Sequence, residues 1–137
     1  MTEKLHEEAR GDNKITFTGR IDDTELKALI LASDMFCFPS ISKNEAFGLA
    51  LAEGMYYEKP TVTFTIPGSG VNYVSLNKVT GIEVENRNVE KYAEAMRTLA
   101  QNKELSSKYG KAGKELVENN FLSTQFCTNI NTVIDSL

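Results

Sequence analysis

The spacing of apolar and polar positions changes period several times along the chain, and each change marks an element. A short helical stretch runs to about Arg10, where Gly11-Asp12-Asn13 breaks it. Ile15 to Gly19, ITFTG, alternates apolar residues with Thr or Gly, the period of a strand. Asp22-Asp23-Thr24 supplies capping side chains, and in the following TELKALILAS the residues Leu26, Leu29, Ile30 and Ala32 share one broad face, so a helix is expected there. Met35 to Pro39 is a short, aromatic-rich apolar run closed by Pro-Ser, a second strand. The unit then repeats, with a helix from about Asn44 to Tyr57, a stop at Pro60 and a third strand over Thr61 to Thr65. Ile66 to Gly70, IPGSG, reads as a loop, followed by a short turn of helix and a fourth brief strand over Gly81 to Glu85. Beyond it, the segments beginning VEKYAEAM, KELSSKYG and STQFCTNI all show the three-to-four apolar spacing of helices.

Strands that alternate with helices through short loops predict the α/β class, a parallel sheet with right-handed crossovers. Such sheets bind ligands outside the carboxyl ends of their strands. The segments of interest are therefore Gly19-Arg20-Ile21, Pro39 to Glu45, and Ile66 to Gly70. With 137 residues and 41% apolar content, the chain suits one domain. It can bury roughly 68% of its unfolded surface without disulfides or a structural metal. The net charge of −4 is spread out with no block of like charge, which speaks against nucleic acid as a partner. Cys37 and Cys127 lack metal-site or redox spacing and read as reduced, buried thiols. The charged amino terminus is no signal peptide, and no apolar run nears the ~20 residues of a membrane span. A soluble, cytoplasmic protein, at most peripheral to a membrane, is expected.

Pro39 to Pro60, PSISKNEAFGLALAEGMYYEKP, carries the most chemistry. Glu45 stands at the mouth of this helix and Glu53 in its third turn, about 12 Å apart along the axis at ~1.5 Å per residue. That is close to the span of a nucleoside diphosphate sugar from hexose to ribose. The amides of Ala46, Phe47, Gly48 and Leu49 would then belong to the first turn, without intrahelical acceptors and at the positive end of the helix dipole, able to receive a diphosphate. Gly48 would let a phosphate approach the backbone closely. The helix is apolar almost all round, so Glu53 is expected to be buried and in need of a partner such as the two ribose hydroxyls. Blander readings stand beside these. Ser42-x-x-Glu45 fits a capping box, and Glu53 with Gly54 could form a narrow stripe facing solvent.

In combination these residues resemble the nucleotide-sugar-binding half of the retaining GT-B glycosyltransferases of the family 4 type. The match reads Pro39-Ser40, then E-x7-E from Glu45 to Glu53, then EKPTVTFT from Glu58 to Thr65, flanked by ITFTGRID and by VTGIEVE from Val79 to Glu85. The resemblance implies a Rossmann-like, three-layer parallel sheet, here incomplete, with about four strands and carboxyl-terminal helices. It implies a UDP- or GDP-hexose as substrate and a polysaccharide or glycolipid as acceptor. Glu45 would accept hydrogen bonds from the donor sugar and serve as the catalytic carboxylate. The Ala46, Phe47, Gly48 and Leu49 segment would hold sugar and phosphate, Glu53 the ribose, and Gly19, Arg20, Ile21, Pro39 and Ser40 the base pocket. No cofactor is implied and no metal is required. The absence of an Asp-x-Asp pair agrees with this, and amides and bases would have to neutralise the leaving group.

Against that family, residues 1–137 correspond to a partial donor-binding domain. The amino-terminal acceptor domain and the first two strands of the donor domain, with the Arg and Lys that clamp the phosphates, have no counterpart. Lys43 and Arg20 are weak candidates for that clamp. In the order 3-2-1-4-5-6 the two missing strands are central. The strand at Ile15 to Gly19 would then pair directly with Met35 to Pro39, leaving four strands with crossover helices on one face. The terminal helices, or a second copy of the chain, would cover the other face. The family also more often carries paired glycines and then Glu where this chain has Pro67 to Tyr73. Alone, such a chain should bind nucleotide weakly and transfer nothing. The rival expectation is a non-enzymatic docking or receiver-like module, with Asp22-Asp23 as an acidic pocket.

Overall fold

In the computed structural model, residues 2–124 are described. The elements follow one another as α1 (Thr2–Glu8), α2 (Asp23–Ala32), β1 (Phe36–Phe38), α3 (Leu49–Tyr56), β2 (Thr61–Phe64), α4 (Val71–Val74), β3 (Gly81–Val84), α5 (Val89–Gln101) and α6 (Lys103–Asn120). Asp22 caps α2 in a capping box, its Oδ1 accepting from Glu25 N at 2.9 Å while Asp22 N donates to the Glu25 carboxylate at 3.3 Å. Asn88 and Asn102 cap α5 and α6 through the same kind of side-chain acceptor. Asp22 is thus engaged as a helix cap rather than as part of an acidic pocket. Of the third carboxyl-terminal helix expected from STQFCTNI, Ser123 and Thr124 are helical, and the rest, with Cys127, lies outside the described residues.

The strands form one parallel sheet in the order β1-β2-β3, with Phe36, Thr61 and Gly81 in one register row and Cys37, Val62 and Ile82 in the next. Side chains alternate across a strand, so the first row and Thr63 face one side and the second row with Phe64 faces the other. α3 covers the first side, where Gly54 leaves room for Phe36; a Cβ on Gly54 would lie 2.5 Å from that ring. α5 covers the second, with Tyr92 packed on Phe64 at 4.7 Å between ring centres and its hydroxyl donating to Val62 O at 2.8 Å. Cys37 is half-buried rather than fully buried, and desolvation pushes its thiol above the usual range. The expectation that terminal helices would fold over the second face is met by α5.

The sheet has three strands among the described residues, not four. Residues 15–19 are exposed and join no strand. Alternation alone cannot make a strand, because its backbone groups need a neighbouring ladder. Among the described residues no strand pairs with residues 15–19 to supply that ladder. Ile15 and Phe17 remain 49% and 40% exposed, and Leu29 and Leu31 on α2 are also exposed. The open part of this fold is thus the outer side of β1 and the α2 surface, not a sheet face.

α6 packs closely against the α3–β2 turn. A Cβ on Gly110 would lie 2.0 Å from the Glu58 carbonyl oxygen, and beside it Lys114 pairs with the Glu58 carboxylate at 3.2 Å. Lys59 Nζ ties the end of α2 to the same region by donating to Leu31 O and Ser33 O at 2.9 and 2.8 Å. No helix among the described residues is long and apolar enough to cross a membrane. Gly110→Ala gains about 1 kcal/mol of helix propensity, but the clash with a backbone oxygen costs about 1–3 kcal/mol, so the variant should melt at a lower temperature. A Tm above that of the parent would contradict this. Thr61 and Thr63 are both fully buried, yet the Thr61 hydroxyl bonds to Ser75 Oγ at 2.7 Å while Thr63 Oγ1 has no partner among the described residues. In urea unfolding, Thr63→Val should therefore be neutral or stabilising. Thr61→Val, which strands the Ser75 hydroxyl, should lose about 1–3 kcal/mol, and equal losses would refute the assignment.

Candidate functional site

Three loops leave the carboxyl ends of the strands: residues 39–48 after β1, 65–70 after β2 and 85–88 after β3. The first carries the E-x7-E residues. α3 begins at Leu49, not near Asn44, because Gly48 adopts a left-handed conformation (φ 79°, ψ 56°) that only glycine takes readily. Gly48 is the N-cap, and its carbonyl accepts from Leu51 N and Ala52 N at 2.9 and 3.2 Å. Ala46, Phe47 and Gly48 therefore precede the helix instead of forming its first turn, and the distance from Glu45 to Glu53 is not a helical rise. Among the described residues, no protein oxygen accepts from the amides of Ala46, Phe47, Gly48 or Leu49. These four N–H groups sit at the positive end of α3.

The loop is held from several sides. Ser69 Oγ donates to Glu45 O at 2.7 Å, and Gly70 lies so near the main chain of Ala46 that a Cβ would come 2.0 Å from Ala46 O. Asn86 Nδ2, after β3, donates to Ile41 O at 3.2 Å. The Phe47 ring meets Phe121 edge-on at 5.2 Å, and Tyr73 approaches Phe121 at 6.0 Å. The Ser42–Glu45 capping box is not formed. Ser42 Oγ accepts from Asn44 N at 3.2 Å and Ser42 O from Glu45 N at 3.2 Å, closing a local turn well before α3 starts. Ser69, Asn72 and Asn86 were not singled out from the sequence. Their one signal was their type, short polar side chains in loops that leave strands, which bond neighbouring backbone readily.

Glu45 is half-buried and Glu53 is exposed. Burial of Glu53 was expected because α3 is apolar nearly all round, but only Leu51, Ala52, Gly54 and Met55 are buried on it, while Leu49 is 77% exposed. The exposed side borders an apolar groove of about 250 Å³ that Phe47, Leu49, Glu53 and Phe121 help to line. Pro39 and Ser40 share the loop with Glu45, exposed and half-buried respectively. Gly19 and Arg20 are exposed on the unpaired segment, and Lys43 is exposed too. Ile21 lines a separate cleft with Leu29 and Ala32 of α2. The structure thus brings the β1 and β2 loops together around residues 45–48. Among the described residues, no three His, Cys, Asp or Glu side chains converge as metal ligands would.

Residues 1–116 match the family model of glycosyl transferases group 1. O-antigen chain mannosyltransferase C of Escherichia coli is 31% identical over 112 residues, 82% of this chain and 30% of that protein. D-rhamnosyltransferase WbpZ of Pseudomonas aeruginosa is 34% identical over 103 residues, 75% of this chain and 27% of that protein. The chain therefore spans less than a third of the length of these two relatives. Among solved structures, sucrose-phosphate synthase from Thermosynechococcus elongatus superposes with a TM-score of 0.84 at 23% identity, over 98% of this chain and 33% of that one. Anabaena HepE, solved with UDP and glucose, also gives 0.84, at 18% identity over 99% of this chain and 36% of that one. These likenesses establish the fold as that of the carboxyl-terminal half of GT-B proteins. The chain belongs to the glycosyl transferases group 1 family.

Proposed function

We propose that this chain is the donor-binding part of a retaining hexosyltransferase that moves a hexosyl group from a UDP- or GDP-sugar to a polysaccharide or glycolipid acceptor on the cytoplasmic side of a membrane. The observation that carries this reading is the run of amides from Ala46 to Leu49 without acceptors among the described residues, at a helix amino terminus and at the carboxyl end of a parallel strand. Diphosphates are bound in that setting on doubly wound sheets. In this reading the amides take the distal phosphate, and Glu45 accepts from hydroxyls of the transferring sugar beside the anomeric carbon. Glu53, one turn along the exposed side of α3, accepts from the ribose. Pro39 and Ser40 border the base. The leaving diphosphate is stabilised by oriented N–H dipoles instead of a metal ion.

The identity to the mannosyl- and rhamnosyltransferases supports a hexosyl donor and a surface-polysaccharide acceptor. The acceptor half is supplied by sequence outside this chain, so the chain alone binds nucleotide and transfers nothing. The docking-module reading loses its acidic pocket, since Asp22 is spent on the α2 cap.

Titration of the 15N-labelled chain with UDP and with GDP tests the proposal. Shifts should concentrate at Ala46 to Leu49, with a Kd of about 1 mM, or roughly −4 kcal/mol. Glu53→Gln should weaken binding about tenfold, since it removes charge from the ribose hydrogen bonds. Shifts spread elsewhere, or none at high millimolar nucleotide, would remove the donor site. Excess EDTA should leave the affinity unchanged, and a requirement for Mg²⁺ would overturn the metal-free reading.

A further inference from the structure

We propose that the loop Ile66–Gly70 orients the amide run of the donor site and that Ser69 is its positioning residue. This rests on the donor-site reading above. The peptide group is planar and trans, so the C=O of one residue and the N–H of the next point in opposite directions. Ser69 Oγ holds the Glu45 carbonyl at 2.7 Å, which turns the Ala46 N–H away from the Ile66–Gly70 loop. The Ala46 carbonyl lies against Gly70, which turns the Phe47 N–H away from the loop as well. Two consecutive donors are thus aimed outward on the side opposite the loop, beside the positive end of α3.

The loop can act as a fixed post because it is itself anchored to β2. Asn72 Oδ1 accepts from Ile66 N at 2.7 Å while its Nδ2 donates to Phe64 O at 3.0 Å, so one side chain clasps the strand end on both sides of Thr65. Ser69 N donates to Ile66 O at 3.0 Å, and Ser69 Oγ accepts from Val71 N at 3.2 Å while donating to Glu45. The hydroxyl therefore has its proton committed to Glu45 and a lone pair committed to α4. Gly70 admits this contact only because it lacks a Cβ, the nearest atom being main chain that no rotamer change can move. Groups oriented before the ligand arrives cost no reorganisation when it binds.

Two readouts separate this inference from the donor reading. In the nucleotide-free chain, Ser69→Ala should lower the 15N order parameters of Ala46, Phe47 and Gly48 from the rigid range near 0.85 toward about 0.6, while α5 and α6 stay unchanged. Ser69→Thr, which keeps the hydroxyl, should restore them. UDP affinity should fall about fivefold in Ser69→Ala, the worth of one hydrogen bond, and return in Ser69→Thr. Order parameters unchanged in Ser69→Ala, or a loss that Ser69→Thr fails to rescue, would overturn the positioning role. If order falls and is rescued but the parent chain binds no UDP, the positioning role stands and the donor assignment falls.

Discussion

At the carboxyl end of the sheet the Glu45 carbonyl accepts from Ser69 and the Ala46 carbonyl abuts Gly70, both on the β2-loop side, and peptide planarity makes their partner amides face the other way. Gly48 then takes a left-handed turn and delivers the chain into α3, so that Leu49 opens the helix with its own amide still unbonded. Four consecutive donors without acceptors among the described residues would be a defect in a packed core. At the mouth of an α/β sheet they are where the proposed donor's diphosphate would rest. The glutamates gain meaning from this arrangement, one directly before the amides and one a turn into the helix.

The scaffold that supports the loop is small and tightly interlocked. Three parallel strands are sandwiched between α3 on one face and α5 on the other, and α6 closes on the α3–β2 turn through a glycine with no room for a methyl group. By contrast, residues 2–33 contribute little to the core, with Ile30 their one buried apolar side chain. ITFTG pairs with no strand among the described residues, and Ile15 and Phe17 stay largely exposed.

Much of this fold was legible in the sequence because local and tertiary preferences agreed. TVTFT and GIEVE are strands in the predicted places, and α5 and α6 begin right after Asn88 and Asn102, whose side chains cap them. Where the reading failed, a non-local requirement decided. Strand alternation in ITFTG needs a ladder partner that the residues themselves do not encode. The apolar run from Ala46 to Ala52 looks continuous, but glycine at 48 permits a turn that delays the helix. Composition placed Glu53 inside, although one side of α3 is open. The residues of the candidate site were recognisable by spacing and resemblance. Ser69, which ties that site to β2, was not, because a serine in a loop has no distinguishing pattern until its partner is seen across 24 residues of chain.

The most direct test is a crystal structure of this chain with UDP bound. The account predicts phosphate oxygens 2.7–3.2 Å from the main-chain nitrogens of residues between Ala46 and Leu49, with the ribose hydroxyls on Glu53. A diphosphate seated elsewhere, with those amides facing bulk water or turned toward protein oxygens, would contradict it.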